Sequence, residues 1–438
     1  MGAYRACHGA IKTSFTAYGG VGFLADYFVY SAQCYASLLR THGRCRGNAA
    51  VRHRNLVAMM QTNLNNSVGI VSPQRAHFPE ALYLESGEVL DGFELIYETY
   101  GELCADGSNA VLVCHALSGN HHAAGFHSKN DTKPGWWDTV IGPGKPIDTN
   151  RFFVVCPNNI GGCDGSTGPN RLSDATREPS VSHLPQVTVA DLVETQKRLA
   201  EHLDIQHWAA VIGGSLGGMQ ALEWSVRYPD WVSHCVAIAA APGLTAQNIA
   251  FNEIARQAIF SDPEWHDGNY LEVASNPAQG MALARMVGHL TYMSADKMTD
   301  RFGRELRQGS FDPQDDEEPV FQVESYLRYQ GSQFVGRFDA NTYVLMTRAL
   351  DRFDLSARGQ GDLSEALKDA SAEFLIISFS SDWRFAPSRS QELANALLSA
   401  EKRVTYSDIE SDAGHDAFLL DDANYLALFS AWMGRVAT

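Results

Sequence analysis

A chain of 438 residues can hold two or three average domains, or one large α/β unit with an insertion. Its composition, 45% hydrophobic and 19% charged, is that of a soluble globular protein. The formal charge of −17 argues against nucleic acid or an anionic membrane as a partner, so any anionic substrate must be met by local positive groups. The eight cysteines, at 7, 34, 45, 104, 114, 156, 163 and 235, include no C-x-x-C pair. No zinc or disulfide framework is expected, and a reducing, cytoplasmic compartment is.

Residues 1–58 stand apart. They carry seven Lys/Arg against Asp26, a net +6 that leaves −23 on the rest of the chain. Their one apolar run, Val21 to Leu39, is broken by Asp26 and Gln33 and precedes no clear small-residue cleavage site. The stretch is expected to be an extension, disordered or not translated, with the fold starting near Met59-Met60.

From there strands and helices alternate. Strands are expected at Ala81–Ser86, Phe93–Tyr100, Ala110–Ala116, Phe152–Pro157, Trp208–Gly214, Val236–Ala241, Glu373–Phe379 and Val404–Ile409. The first two are joined hairpin-fashion through Gly87–Gly92, and the later runs are continuously apolar, as in strands buried on both faces. Val189–Leu203 is helical, with Leu192, Val193, Gln196, Leu199 and Leu203 on one face. Eight strands, opening antiparallel and continuing parallel, suit a doubly wound α/β sheet. From 243 to 358 the rhythm stops. Asn248–Phe260, Gln279–Gly288 and Ala340–Phe353 carry helical periodicity, the acidic run Asp312–Glu318 reads as a solvated loop, and no strand pattern appears. The chain thus divides into the extension (1–58), the first part of a core (59–242), a helical lid (243–358) and the second part of the core (359–438).

The chemistry centres on Gly213-Gly214-Ser215-Leu216-Gly217, entered from Trp208–Ile212 and followed by a helix from Leu216 to about Tyr228. A serine on a tight strand-to-helix turn takes a strained backbone, and Gly213 and Gly217 remove side chains that would collide. Its hydroxyl is then presented at the positive end of a helix. Such a nucleophile needs a base, and the base needs an orienting carboxylate, in the chain order Ser, Asp or Glu, His. Asp382 ends the seventh strand, and His415 follows the eighth in Asp412-Ala413-Gly414-His415-Asp416. The oxyanion donors are expected to be the amides of Leu117, in the loop His115-Ala116-Leu117-Ser118-Gly119, and of Leu216. His121 and His122 suggest no metal site, since adjacent histidines point apart and no carboxylate accompanies them. Arg384, two residues beyond Asp382, puts a cation at the active edge of the sheet. A guanidinium there can clamp a carboxylate with two hydrogen bonds.

Several motifs besides the elbow resemble the homoserine O-acyltransferases of the α/β-hydrolase superfamily, most closely the succinyl-using members, from about Ser67 to the C-terminus. They are Tyr97-Glu98-Thr99-Tyr100-Gly101, His115–Gly119, Gly135-Trp136-Trp137-Asp138 with Ile141–Gly144, Asn158–Cys163 with Gly165–Pro169, Leu290-Thr291-Tyr292 and His415–Leu419. One departure is Ala413-Gly414-His415, where many members set the Gly before the His in a longer Ser-Pro-rich stretch. The resemblance implies an α/β-hydrolase fold with an eight-stranded mostly parallel sheet and an inserted helical lid. It implies a ping-pong transfer from succinyl-CoA to L-homoserine, in methionine biosynthesis, with Ser215, His415 and Asp382 as the triad. Arg285, Tyr292 and Asp416 would hold the amino acid, and Arg384 would select the acyl group, since succinyl-using members carry Arg there and acetyl-using ones an apolar residue. No permanently bound cofactor, metal, nucleic-acid or membrane partner is implied, and a homodimer through the lid is. Acetyl-CoA as donor, serine as acceptor, or water as acceptor in an esterase or thioesterase remain open alternatives on the same triad.

Overall fold

Runs such as AVLVC at Ala110–Cys114 and AVIGG at Ala210–Gly214 are buried at every position, the pattern of strands covered on both faces. In the computed structural model, which describes residues 66–169, 184–307 and 320–436, these runs lie near the middle of one eight-stranded sheet. Its strands are β1 (Gln74–Phe78), β2 (Phe93–Tyr100), β3 (Ala110–Cys114), β4 (Phe153–Pro157), β5 (Ala210–Gly214), β6 (His234–Ile238), β7 (Glu373–Phe379) and β8 (Val404–Ile409), in the spatial order β1-β2-β4-β3-β5-β6-β7-β8. The β1–β2 and β2–β4 pairs are antiparallel and the others parallel.

One expected strand is misplaced. Within Ala81–Ser86 only Leu82–Tyr83 is extended, and it pairs with Val89–Leu90 in a small separate ribbon. The edge of the main sheet is Gln74–Phe78, where only Ala76 and Phe78 turn inward. The sixth strand also starts two residues earlier than expected, at His234.

The α-helices are α1 (Val189–His202), α2 (Leu216–Arg227), α3 (Ala246–Phe260), α4 (Ala278–Tyr292), α5 (Ala295–Phe302), α6 (Gln322–Val335), α7 (Ala340–Arg352), α8 (Leu363–Leu367), α9 (Pro387–Ser399) and α10 (Ala423–Met433). A capping box of Thr188 and Asp191 starts α1 by satisfying amides that have no intrahelical partner. Side chains alternate across the sheet. Leu112, Val211 and Ile376 join Leu192, Met219, Leu222, Trp224 and Leu393 from α1, α2 and α9 on one face. Val111, Ile212 and Ile377 join Trp137, Phe418, Tyr425 and Phe429 on the other. Each large apolar side chain buried this fully contributes about 1.5–3 kcal/mol.

Between β6 and β7 the chain leaves the sheet for α3 to α7. It departs and returns at one point, where Gly243 bridges Asp354 and the Leu355 N–H donates to the Pro242 carbonyl at 2.8 Å. A closed neck lets a long segment be inserted without disturbing the β6–β7 register. The expected extension at 1–58 lies outside the described residues. Among the described residues the five cysteines are unpaired, and no helix is long and apolar enough to cross a membrane.

Candidate active site

Ser215 joins β5 to α2 with φ 57° and ψ −122°, a conformation costing of the order of 1–3 kcal/mol for a residue with a side chain. The space around it explains its flanking glycines. A Cβ on Gly217 would lie 2.0 Å from the Cys114 carbonyl oxygen, and one on Gly213 would lie 2.2 Å from the Gly217 backbone. The elbow is therefore pressed directly against the end of β3.

The His415 Nε2 lies 2.9 Å from the Ser215 Oγ, and its Nδ1 lies 2.8 Å from Asp382 Oδ2. Asp382 is held in turn by two backbone amides, Arg384 at 3.0 Å and Phe385 at 2.8 Å, both donating to Oδ1. All three side chains are buried, and the imidazole stacks on Phe385 with ring centroids 4.9 Å apart. With Asp382 accepting from Nδ1–H, the Nε2 lone pair faces the hydroxyl, the tautomer a general base requires. The loop before His415 turns at Gly414, whose φ is +71°, and a Cβ there would sit 2.4 Å from the Tyr292 carbonyl oxygen at the end of α4. The helical insertion thus rests on the loop that carries the base.

Leu216 opens α2, so its amide has no intrahelical acceptor, and among the described residues neither it nor the Leu117 amide donates a hydrogen bond. The loop carrying Leu117 is fixed from below. The Gln220 Nε2 donates to the His115 carbonyl at 3.2 Å, Gln196 donates to Gln220 at 2.6 Å, and Trp224 donates to Gln196 at 2.8 Å, a buried chain linking α1 and α2 to that loop. His115 itself is locked: Nδ1–H donates to the Ala116 carbonyl at 2.7 Å and Nε2 accepts from the Asn159 amide at 3.0 Å. Burial pushes its pKa down to about 4, so it is neutral at pH 7.

Beside the triad, Arg285 and Arg337 of the insertion and Arg384 of the loop after β7 form a cluster of cations on aromatic faces. The Arg285 guanidinium lies 5.4 Å from the Tyr292 ring centroid and 4.7 Å from that of Phe334, Arg384 lies 5.6 Å from Tyr292, and Arg337 lies 5.6 Å from Phe334. Tyr292 faces the imidazole of His415 at 6.1 Å, and the buried Arg285 Nε has no hydrogen-bond partner. Desolvation raises the Asp416 carboxyl above its usual range, against the pull of His415, Arg285 and Arg384. Arg384 donates to two neutral acceptors, Thr291 Oγ1 at 2.9 Å and Asn252 Oδ1 at 3.1 Å, and no carboxylate among the described residues forms an ion pair with it. A protein of charge −17 thus gathers three arginines at one place. Of the supporting residues, Thr291 stood in the Leu290-Thr291-Tyr292 motif without a role, and Asn252 and Arg337 escaped the sequence reading because a polar residue in a helical insertion carries no motif of its own.

The expectation of no carboxylate near His121 and His122 is corrected. Glu98 is fully buried on β2 and accepts from Tyr100 Oη at 2.7 Å, from His122 Nδ1 at 3.0 Å and from His127 Nε2 at 2.5 Å. Burial would raise its carboxyl, but the hydrogen bonds from His122, Tyr100 and His127 outweigh that and hold it below the usual range. The fold sets β2 against the loop after β3, bringing together residues more than twenty positions apart, which no local pattern reveals.

A mixed sheet in this order, with a serine elbow after β5, an acid after β7 and a histidine after β8, defines a serine-nucleophile α/β hydrolase. Residues 109–422 match the family described as alpha/beta hydrolase fold, and the chain belongs to that family. Within it the chain falls among the homoserine O-acyltransferases. It is 59% identical over 372 residues to a homoserine O-succinyltransferase of Saccharophagus degradans, covering 85% of this chain and 98% of that one. To a homoserine O-succinyltransferase of Marinobacter nauticus it is 60% identical over 373 residues, covering 85% and 97%. Among solved structures, the homoserine O-acetyltransferase of Bacillus anthracis matches with a TM-score of 0.77 at 27% identity, covering 84% of this chain and 99% of that one. Esterase E22 matches at 0.75 and 28%, covering 83% and 100%.

Proposed function

We propose that the chain transfers a succinyl group from succinyl-CoA to the hydroxyl of L-homoserine, a step of methionine biosynthesis, through an acyl-Ser215 intermediate. Ser215 gives its proton to His415 Nε2 as its oxygen attacks the thioester carbonyl, and the Leu117 and Leu216 amides meet the developing oxyanion. The carbon–sulfur bond breaks and coenzyme A leaves with the proton from His415. The homoserine hydroxyl then gives its proton to His415 and attacks the acyl-serine, and Ser215 leaves with that proton. Arg285 and Tyr292 hold the homoserine carboxylate, and Asp416 pairs its ammonium. No bound cofactor enters this chemistry.

The donor assignment is carried by Arg384. Its guanidinium is held by Thr291 and Asn252, both neutral, so its charge is left for an anionic acyl tail. The 59–60% identity to proteins named homoserine O-succinyltransferase supports the same reading. The helical segment 243–358 acts as a lid. Exposed Ile249, Ile254, Leu283 and Leu290 on it support pairing of two copies through this face in a cytoplasmic homodimer, which light scattering of the purified protein would test. The transfer itself is tested by following free thiol from succinyl-CoA or acetyl-CoA, with and without L-homoserine. Sustained thiol release, beyond the one equivalent per chain that loads Ser215, is expected to require homoserine and to be at least about 10-fold faster with succinyl-CoA, a preference needing about 1.4 kcal/mol. Equal rates with both donors, or multiple turnovers of release independent of homoserine, would overturn the reading.

A further inference from the structure

The Glu98 cluster lies outside the acyl-transfer chemistry. Its carboxylate is fully buried, and among the described residues no Lys or Arg comes within ion-pair distance of it. A buried carboxylate requires compensating charge. Three imidazoles surround it instead. The ligand atoms of Glu98, His122 and His127 all lie within 4.8 Å of one another, and His121 Nε2 lies 3.9 Å from Glu98 Oε1. His121 is itself buried, and neither of its ring nitrogens has a hydrogen-bond partner. An imidazole in that state has been desolvated with no hydrogen bond in return.

We propose that Glu98, His121, His122 and His127 form a binding site for one divalent transition-metal ion of the zinc class. Three imidazoles and one carboxylate are a donor set that suits zinc, whose nitrogen and oxygen ligands lie about 2.0–2.2 Å away and therefore about 3.3 Å from one another in a tetrahedron. The separations from Glu98 are 2.5 Å for His127, 3.0 Å for His122 and 3.9 Å for His121, and they scatter about that spacing. On binding, the protons that His122 Nδ1 and His127 Nε2 present to Glu98 move to the other ring nitrogens, and the ion takes their place. Tyr100 Oη remains as an outer partner of the carboxylate, the kind of support that orients metal ligands.

The ion would have a structural role. Residues 121–127 continue from the loop that carries Leu117, and the segment between is tied down by Asn120, which donates to Asp164 at 3.1 Å and accepts from Trp136 Nε1 at 2.9 Å. Fixing His121, His122 and His127 onto β2 braces the far end of that loop.

The test uses the full-length chain, purified without a metal-affinity step. Elemental analysis is expected to find about one zinc per chain. After chelation, Zn²⁺ alone should rebind with a calorimetric stoichiometry of one, and Co²⁺ should give the intense visible band of a tetrahedral site. His121→Gln and His127→Gln, which keep hydrogen-bonding capacity, should each weaken Zn²⁺ binding at least about 10-fold. Absence of saturable Zn²⁺ binding by the folded wild-type chain would overturn the proposal. So would a folded double variant that binds Zn²⁺ as tightly as wild type. Should a variant misfold, as judged by circular dichroism, the wild-type titration and Co²⁺ spectrum decide alone.

Discussion

Replacing Arg384 by leucine separates donor choice from the rest of the chemistry, because the structure limits what else the change disturbs. The side chain makes two hydrogen bonds, to Thr291 Oγ1 and Asn252 Oδ1. Thr291 still donates to the Gly288 carbonyl at 2.8 Å and Asn252 Nδ2 to Asp351 at 2.7 Å, so both side chains stay anchored and only the Asn252 Oδ1 acceptor loses its donor. The amides of Arg384 and Phe385 that hold Asp382 belong to the backbone and survive. What disappears is the cation over Tyr292 and the remaining guanidinium donors. Hydrogen bonds to a charged group are worth about 1.5–3 kcal/mol, so kcat/KM for succinyl-CoA should fall about 10- to 100-fold. The acetyl-CoA rate, which draws nothing from that charge, should change by less than about fivefold, the equivalent of the 0.5–1 kcal/mol of an exposed cation–π contact. Initial rates of thiol release with each donor at saturating homoserine measure the ratio. An unchanged donor ratio, or equal losses with both donors, would refute the role given to Arg384.

Ser215→Ala should abolish transfer, by roughly 10⁶ in turnover, with an unchanged melting temperature within a few degrees; a folded variant retaining a hundredth of the rate would exclude the covalent route. Arg285→Ala and Asp416→Asn should raise the homoserine KM by an amount worth about 2–5 kcal/mol while succinyl-CoA alone still loads Ser215, and a variant that cannot be loaded but saturates normally with homoserine would contradict their assignment. Acid should destabilise the fold through His115. Its folded pKa of about 4 lies below the unfolded 6.5, so the unfolded chain binds more protons in between, and stability present above pH 6.5 is lost as pH falls toward 4. The loss from this group is about 3 kcal/mol, and His115→Gln should flatten that part of the urea-midpoint profile; an identical profile would place the acid sensitivity elsewhere.

Much of this structure could be read along the chain. The elbow was legible because its constraint is local: close backbone approach at Gly213 and Gly217 can be met only by glycine. The buried strands were legible because runs such as AVIGG carry their burial on both faces in their own composition. The edge strand Gln74–Phe78 was not, since a strand buried on one face with two inward residues has little periodicity to show, while Leu82, Leu84 and Leu90 nearby gave a stronger apolar signal for what is a short ribbon. Asp382 and His415 could be paired only through their order along the sheet. Glu98 and its histidines lay beyond such reasoning, because β2 and the loop after β3 meet in space and a glutamate within an apolar strand suggests no partner by itself.

The central claim is that the succinyl group passes through Ser215 to homoserine, and intact-protein mass spectrometry tests it directly. Wild-type protein mixed with succinyl-CoA alone should gain the mass of one succinyl group, mapped by peptide analysis to Ser215, and should lose it on addition of L-homoserine with release of O-succinylhomoserine. A chain that forms product without ever carrying the adduct, or whose adduct persists in the presence of homoserine, would contradict it.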